Sequence, residues 1–442
     1  MKRLFAKLFS QSNILFGSRL AGAGVVFLAQ AAVARFWGAE ALGNFLLFVA
    51  AANIIAVLMP LGFETTGTFF AAEYRAAGHG RQLRGFMKRS YAHVAIMSAL
   101  LLVAGYPLAG LIGAPGHLLQ EHWLPVMLMS LATALVYCNS ALLIGLKRPF
   151  AGFFADTVFR PMLMVLALAV ATLAFAPSAA FDAFVWMLAG GFLVIAIGQF
   201  AWLWRAVREV PVSGTVEKSE IRRWWRFALP WVIIALATDL FFDIDLILLS
   251  NLMDRETLAI FGVCTRVFSL VSFGVAAVYS VVMPDMFDLA KDREALLRKI
   301  GEANLAAAGI AVALFVAVAL GGPLALLLFG PEFGAGALPM AVLCITLIVR
   351  AFFGPTSVVL SMNDRPHDVL PAIGLGMTVL VVANLLLVPP LGLLGAALAA
   401  VLAQTVWSAA LWFTALKRAH IDVSLMPRIA EFFAARGAPN LP

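Results

Sequence analysis

The sequence contains few charged residues. Asp, Glu, Lys and Arg make up 12% of its 442 residues, against roughly 25% in an average soluble domain. A soluble chain of this length would fold as two or three domains, each of which needs a polar surface. Because 63% of the residues are hydrophobic, the composition excludes a soluble globular protein and a disordered chain. It indicates that lipid covers much of the molecule.

Tyrosine, cysteine and nucleotide-binding motifs are also scarce. With five Tyr and no alternating segments of about ten residues, the chain does not resemble a transmembrane β-barrel. The three cysteines (Cys138, Cys264 and Cys344) lie in apolar runs without metal-ligand or CxxC spacing, which indicates buried apolar side chains. No GxxxxGK[ST] loop for binding ATP is present. The class that remains is an all-α polytopic membrane protein.

Twelve apolar runs are long enough to cross a bilayer, which requires about 20 apolar residues. Most of the 31 Lys and Arg residues flank these runs on one side, whereas the opposite loops hold only Arg35 and Arg255. The positive-inside rule therefore places both termini in the cytoplasm, and the net charge of +7 needs no nucleic-acid partner. The predicted spans are 11–34, 43–70, 88–112, 121–146, 152–176, 180–205, 223–250, 257–284, 302–329, 335–361, 366–388 and 392–416.

The two halves of the sequence repeat each other at one shared offset. Three segments of the first half align with the second: Gly38–Phe45 with Asp254–Phe261, Ile112–Pro115 with Phe329–Pro331, and Arg148-Pro149 with Arg365-Pro366. Six helices per half give both halves the same topology, as in transporters whose two bundles face a central cavity. We predict an N-terminal lobe (1–205), a cytoplasmic linker (206–222), a C-terminal lobe (223–416) and a cytoplasmic tail (417–442).

Several motifs resemble those of polysaccharide flippases. They are Ala34–Phe45, Leu61–Glu64, Asp245–Leu249 and Ala259–Phe261. The resemblance extends over nearly the whole chain, and the proteins it resembles are the O-antigen and exopolysaccharide flippases. Their superfamily also contains lipid II flippases and multidrug extruders. It implies that a polyprenyl-pyrophosphate glycan moves from the inner to the outer leaflet of the cytoplasmic (inner) membrane. It also implies alternating access between the lobes, without ATP hydrolysis.

Ionisable residues inside predicted spans are functional candidates, because each costs about 2.5–3.5 kcal/mol on insertion scales. We expect Arg19, Arg266 and Arg350 to bind the pyrophosphate in the cavity, since a guanidinium binds phosphate oxygens through two parallel hydrogen bonds and keeps its charge. The resemblance likewise implies cationic residues on the first and eighth helices. Asp156 and Arg160 are spaced i,i+4 and indicate a structural ion pair.

Counting the helical rise from each end of a span suggests further pairs. Arg19 and Glu64 could meet, and Arg266 lies level with Asp243. Glu64, Asp239 and Asp243 are the candidate ion-coupling or cavity acids. A buried carboxylate can take up a proton or bind Na⁺, so coupling to a Na⁺ or H⁺ gradient stays open. No cofactor and no bound metal are expected.

The expected function is that of a flippase, a transporter rather than an enzyme, for lipid-linked oligosaccharides. One alternative is a cation-coupled multidrug extruder of the same superfamily, which would need an acid-rich cavity. A second alternative is a membrane glycan polymerase or ligase, which usually carries a large outer loop that this sequence lacks. We expect the chain to act as a monomer among membrane lipids and leave its association with polysaccharide polymerase machinery open.

Overall fold

The computed structural model describes residues 11–289, 292–362 and 366–428, which are almost entirely helical. The chain forms two compact units that divide between Ala259 and Ile260. The predicted lobe boundary at 206–222 stays a prediction. The first unit nevertheless includes helices that follow this segment, and they pack against helices near the N-terminus.

The helices of the first unit follow one another with short connections. A π-helical turn, Ala155–Phe159, separates two of them. The helices are α1 (Gln11–Leu58), α2 (Phe63–Ala77), α3 (Gly80–Gly110), α4 (Ala114–Glu121), α5 (Trp123–Gly145), α6 (Pro149–Phe154), α7 (Arg160–Ala174), α8 (Pro177–Arg208), α9 (Lys218–Thr238) and α10 (Phe241–Leu249).

A long helix, α11 (Arg255–Asp288), leads into the second unit. Hydrogen bonds from Thr257 at its start hold the pKa of the Asp254 carboxyl below its usual value. Two 3₁₀ turns, Pro331–Gly336 and Pro366–Val369, precede later helices. The remaining helices are α12 (Arg293–Leu327), α13 (Ala337–Phe353), α14 (Thr356–Met362) and α15 (Leu370–Arg418).

The described residues contain nine helical stretches that are long and apolar enough to cross a membrane. The 48-residue α1 would be about 72 Å long if straight, more than twice the hydrocarbon thickness of about 30 Å. Non-helical glycines divide both α1 (Gly38) and α15 (Gly392) into two passages. Together with the interrupted segment 218–249, these divisions account for the twelve predicted passages.

The second predicted span, 43–70, is interrupted. Its helix ends at Leu58 and resumes at Phe63, because Leu61 (φ 53°) and Gly62 (φ 83°) take left-handed backbone conformations after Pro60. A Cβ on Gly62 would lie 2.0 Å from the carbonyl oxygen of Ala228. Glycine is therefore required both by the turn and by the close approach of α9.

The seventh predicted span, 223–250, is also interrupted, but at an acidic residue. Helix α9 ends at Thr238 and α10 begins at Phe241, so the break falls at Asp239. Pro230 lies inside α9 without ending it. The basic residues that follow the second predicted span lie on α2 and α3, and only Gly78 and His79 connect these two helices.

Helices α2 and α9 are joined side by side within the first unit. Arg223 donates from Nη1 and Nη2 to the two carboxylate oxygens of Glu73, each at 2.8 Å. Trp224 Nε1 donates to the Tyr74 hydroxyl at 2.6 Å. The Arg223 guanidinium also lies 5.3 Å from the ring centroid of Phe70. This combination of a forked ion pair and ring contacts ties together two half-length helices.

We expect the Arg223→Gln variant to lower the free energy of unfolding by about 1 kcal/mol, since the ion pair is partly exposed but forked and stacked. Thermal unfolding of the purified protein measures the effect. The control is Arg222→Gln, which removes an exposed neighbouring arginine. High salt should reduce the difference between the two variants. Equal stability of both variants at low salt would contradict the role assigned to the ion pair.

Candidate functional site

The first charged cluster of the first unit forms where α1 meets the π-helical turn. A Cβ on Gly22 would lie only 2.1 Å from the carbonyl oxygen of Thr157, so glycine permits this contact. One turn earlier on α1, the Arg19 guanidinium lies 4.0 Å from the ring centroid of Phe153. The close approach of the two segments therefore sets the position of Arg19.

Two arginines share one carboxylate in this cluster. Arg160 Nη1 donates to Asp156 Oδ1 at 3.1 Å, as the i,i+4 spacing predicted, and its guanidinium lies 4.8 Å from the Phe192 ring centroid. The Asp156 charge also acts on Arg19. Asp156 keeps 48% of its side chain exposed, and Arg19 is exposed as well. With all three groups charged, the cluster carries a net positive charge and is open to a ligand.

The acidic charge that acts on Arg19 is that of Asp156, and the meeting of Arg19 with Glu64 stays a prediction. Helical rise places residues at similar depths but leaves open which helices are neighbours. The contact at Gly22 brings α1 beside the π-helical turn, and the charge of Asp239 acts on Glu64. The sequence also does not predict that Arg160 belongs to the same cluster as Arg19, because it indicates only the local pair of Arg160 with Asp156.

The second charged cluster joins two helix interruptions. Glu64 lies in the first turn of α2, directly after the break at 59–62, and Asp239 lies at the break between α9 and α10. The charge of Asp239 acts on the Glu64 carboxyl, so the two groups lie within range of each other's electrostatic field. Glu64 Oε1 accepts a hydrogen bond from Thr65 at 3.2 Å, whereas its buried Oε2 has no hydrogen-bond partner in the described part of the chain. Broken transmembrane helices and intramembrane acids are each typical of ion sites in transporters.

The remaining acids of the first unit lie deeper in its packing. Asp243 is buried on α10 and accepts a hydrogen bond from Asn53 Nδ2 at 3.0 Å. Asp245, two residues further on, is fully buried. The bond to Asn53 ties α10 to α1, and a single amide within an apolar run is a weak signal for such a contact in the sequence. The predicted pairing of Asp243 with Arg266 stays a prediction.

The second unit holds the two remaining candidate arginines. Arg266 is half-buried on α11, and Arg350 is exposed in the last turn of α13, close enough to Tyr279 for an electrostatic interaction. The Tyr279 hydroxyl donates to Asn304 Oδ1 at 3.1 Å, and Asn304 Nδ2 donates to the Val423 carbonyl at 2.7 Å. Asn304 is a fully buried polar residue that the sequence analysis missed.

No group of three or more His, Cys, Asp and Glu side chains in the described ranges could hold a metal ion. The three cysteines are buried and not bonded to one another. Cys264 Sγ contacts the Gly336 carbonyl at 3.3 Å, as a packed core residue would. The arginines and carboxylates of the two clusters can recognise charge and exchange protons or small cations.

The family model of polysaccharide biosynthesis proteins matches residues 9–290. The chain belongs to this family. Among solved structures, the family member is similar to an inward-facing multidrug resistance MATE family transporter of the MOP superfamily. The TM-score is 0.73 and the identity 17%, covering 92% of this chain and 98% of the other. It is also similar to the lipid II flippase MurJ in an inward closed conformation. For this pair the TM-score is 0.72 and the identity is 13%, and the alignment covers 91% of this chain and 87% of the flippase.

No curated protein matches the chain in sequence. Because the identities to the solved structures are low, the likenesses establish the fold alone. It is the two-lobed, twelve-helix fold that the sequence predicted. The matched family and structures are transporters and flippases rather than enzymes, in agreement with the prediction for this family member. The chain is a multi-pass membrane protein of polysaccharide biosynthesis.

The Gly22→Ala variant should displace α1 from the π-helical turn, because its new methyl group would overlap the Thr157 carbonyl. We expect a loss of about 1–3 kcal/mol of stability, typical of overpacking. Gly24→Ala is the control, since a Cβ there meets nothing within 4 Å. Thermal unfolding of the purified variants is the measurement, and a wild-type unfolding temperature for Gly22→Ala would contradict the packing argument.

Proposed function

We propose that the chain is a flippase for lipid-linked oligosaccharides. In this proposal it moves a polyprenyl-pyrophosphate glycan from the inner to the outer leaflet of the cytoplasmic membrane by alternating access. Both termini lie in the cytoplasm, and the glycan serves O-antigen or exopolysaccharide synthesis. The observation that carries the proposal is the cluster of Arg19, Asp156 and Arg160, which is net positive and open inside a transmembrane unit.

The chemistry of this cluster fits an anionic headgroup. A guanidinium stays charged when water is removed, and its planar fork matches phosphate oxygens. Phe153 supports one face of Arg19, and Asp156 lies beside it. Such support limits the rotamers of a long side chain, so less entropy is lost when the ligand binds. A pyrophosphate carries more negative charge than Asp156 alone, so it can bind while the acid stays in place.

Arg266 and Arg350 of the second unit are further candidates for contact with the pyrophosphate during the transport cycle. The exposed position of Arg350 supports this role, because an intramembrane arginine is costly unless it serves a ligand or lines water. The nearby Tyr279 hydroxyl is occupied by Asn304. Because the hydroxyl is a neutral group, it does not cancel the Arg350 charge, which stays available for a ligand.

Glu64 and Asp239 are proposed to couple transport to a proton or Na⁺ gradient. Two neighbouring carboxylates repel each other when both are ionised, so a shared proton or a bound cation relieves the repulsion. The unpartnered Oε2 of Glu64 supplies an acceptor for either. Asp243 is a weaker candidate for this role, because Asn53 already donates to its carboxylate.

A cation-coupled multidrug extruder is the alternative that the Glu64–Asp239 pair favours, because paired acids can also bind a cationic drug. The family match to polysaccharide biosynthesis proteins argues for the glycan. Two results together would establish the alternative. Cells that lack the protein would export glycan normally, and the protein would confer resistance to cationic drugs that requires Glu64 and Asp239 but not Arg19.

The Arg19→Ala variant should lower export of surface glycan about tenfold, the effect of losing one charge-assisted contact to a phosphate. Arg266→Ala and Arg350→Ala test the same role in the second unit. Export is measured in cells with matched protein levels. Arg418→Ala, an exposed arginine at the end of α15, is the control.

A Lys at position 19 separates charge from geometry. Full recovery of export with Arg19→Lys would show that charge alone is sufficient, whereas partial recovery would indicate that the guanidinium fork contributes. Normal export by all three alanine variants would overturn the assignment of the pyrophosphate contacts.

The Glu64→Gln and Asp239→Asn variants should remove the stimulation of flipping by an ion gradient. Neutral amides keep the shape of the side chain but cannot take up a proton or provide a charged cation ligand. Flipping in proteoliposomes is measured with and without proton and Na⁺ gradients. Glu121→Gln, at the end of α4, is the control. If the rate of flipping by the wild-type protein is the same with and without each gradient, the coupling role is excluded.

A further inference from the structure

A second basic site lies on the surface of the first unit, next to the π-helical turn but built from side chains other than those of the clusters described above. It is a cavity of about 330 Å³ lined by Arg148, Ala151, Phe154, Trp202 and Arg205. The lining combines two guanidinium groups with two aromatic rings. The proposed flippase function uses none of these side chains.

The two walls of this cavity are held together by buried hydrogen bonds. Gln199 on α8 is buried, and its Nε2 donates to the carbonyl oxygens of Ala151 at 3.1 Å and Gly152 at 2.9 Å. Ser140 Oγ on α5 donates to the same Gly152 carbonyl at 2.7 Å. These bonds fix α6 against α8. The cavity is therefore formed before any ligand arrives, which limits the entropy lost on binding.

The two arginines are held differently. Arg148 Nη2 donates to both carboxylate oxygens of Glu209, at 2.7 and 2.6 Å, which anchors the guanidinium at the rim. Arg205 is exposed and has no ion-pair partner among the residues that the structure describes. Arg205 thus supplies a positive charge that no described carboxylate neutralises.

The level of the cavity in the membrane follows from the length of α8. Its 32 residues span about 48 Å, whereas the hydrocarbon core is about 30 Å thick. Trp202 and Arg205 lie within the last two turns, on the side where most of the basic residues are found. Trp202 is 41% exposed, and tryptophan prefers the interface between headgroups and acyl chains. The cavity therefore lies at headgroup depth.

We propose that this cavity binds the headgroup of an anionic phospholipid of the surrounding bilayer. Arg205 and Arg148 bind the phosphate, and Phe154 and Trp202 contact the glycerol and the first methylene groups. Basic pockets between transmembrane helices on the basic side of a membrane favour such lipids. Inorganic phosphate has the same anionic group but lacks the apolar part of a lipid. It would therefore contact the two arginines but not the two aromatic rings.

The test uses the purified full-length protein in detergent. Its unfolding temperature is measured while phosphatidylglycerol is added, because a ligand that binds only the folded state raises this temperature. Phosphatidylcholine, inorganic phosphate and polyprenyl pyrophosphate are titrated in parallel. We expect phosphatidylglycerol to raise the unfolding temperature, with little effect from phosphatidylcholine or phosphate.

The decisive variant is Arg205→Gln, which should weaken binding of phosphatidylglycerol about fivefold, the contribution of one arginine near a membrane surface. Arg208→Gln is the matched control: it removes an arginine of the same helix end that stacks 5.3 Å from the Trp204 ring and does not line the cavity. Trp202→Leu is a second variant and should also weaken binding. Arg148→Gln is less informative, because it also breaks the ion pair with Glu209.

Four results would overturn the proposal. One is an equal response to phosphatidylglycerol in the wild type, Arg205→Gln and Trp202→Leu. A second is an equal response of the wild type to phosphatidylcholine. A third is an equal shift by inorganic phosphate, which would identify a site for free anions. The fourth is a response to polyprenyl pyrophosphate that depends on Arg205 while the response to phosphatidylglycerol does not, which would identify a substrate site.

Discussion

The hydrogen-bonding requirement of the backbone inside hydrocarbon governs this structure. A helix that breaks in the membrane leaves amide and carbonyl groups without partners, so breaks persist only where protein or water satisfies them. The first unit contains a break at 59–62, another at Asp239 and a π-helical turn at Ala155–Phe159. Each carries a carboxylate, on Glu64, Asp239 and Asp156 respectively. At these three places irregular backbone and an intramembrane acid occur together, whereas Asp243 and Asp245 lie within the regular helix α10.

Close backbone contacts explain how such breaks fit into the bundle. Gly62 meets the Ala228 carbonyl, and Gly22 meets the Thr157 carbonyl, each at a distance that excludes a side chain. In both cases one partner lies at or next to irregular backbone. The forked pair of Arg223 and Glu73 then ties α2 to α9. The half-length helices α2, which begins at a break, and α9, which ends at one, thus stabilise each other.

The twelve passages could be predicted from the sequence because hydropathy is a property of each run by itself. The aligned Gly113 and Gly330 both adopt positive φ before a short helical segment, as the repeat suggested. The neighbour of Arg19 could not be predicted, since it depends on how helices rotate and pack. Nor could the break at Asp239, where neither Gly nor Pro is present. Pro60 lies within a break whereas Pro230 lies inside a continuous helix, so proline alone is an insufficient signal.

The short helix α6 connects the two kinds of site proposed for the first unit. Phe153 lies against the Arg19 guanidinium, and the next residue, Phe154, lines the basic surface cavity. Gln199 holds the adjacent backbone at Ala151 and Gly152. A lipid that orders Phe154 would thereby restrict the aromatic support of Arg19. The composition of the bilayer could then influence how strongly the first unit holds an anionic headgroup, without any contact between the lipid and the transported molecule.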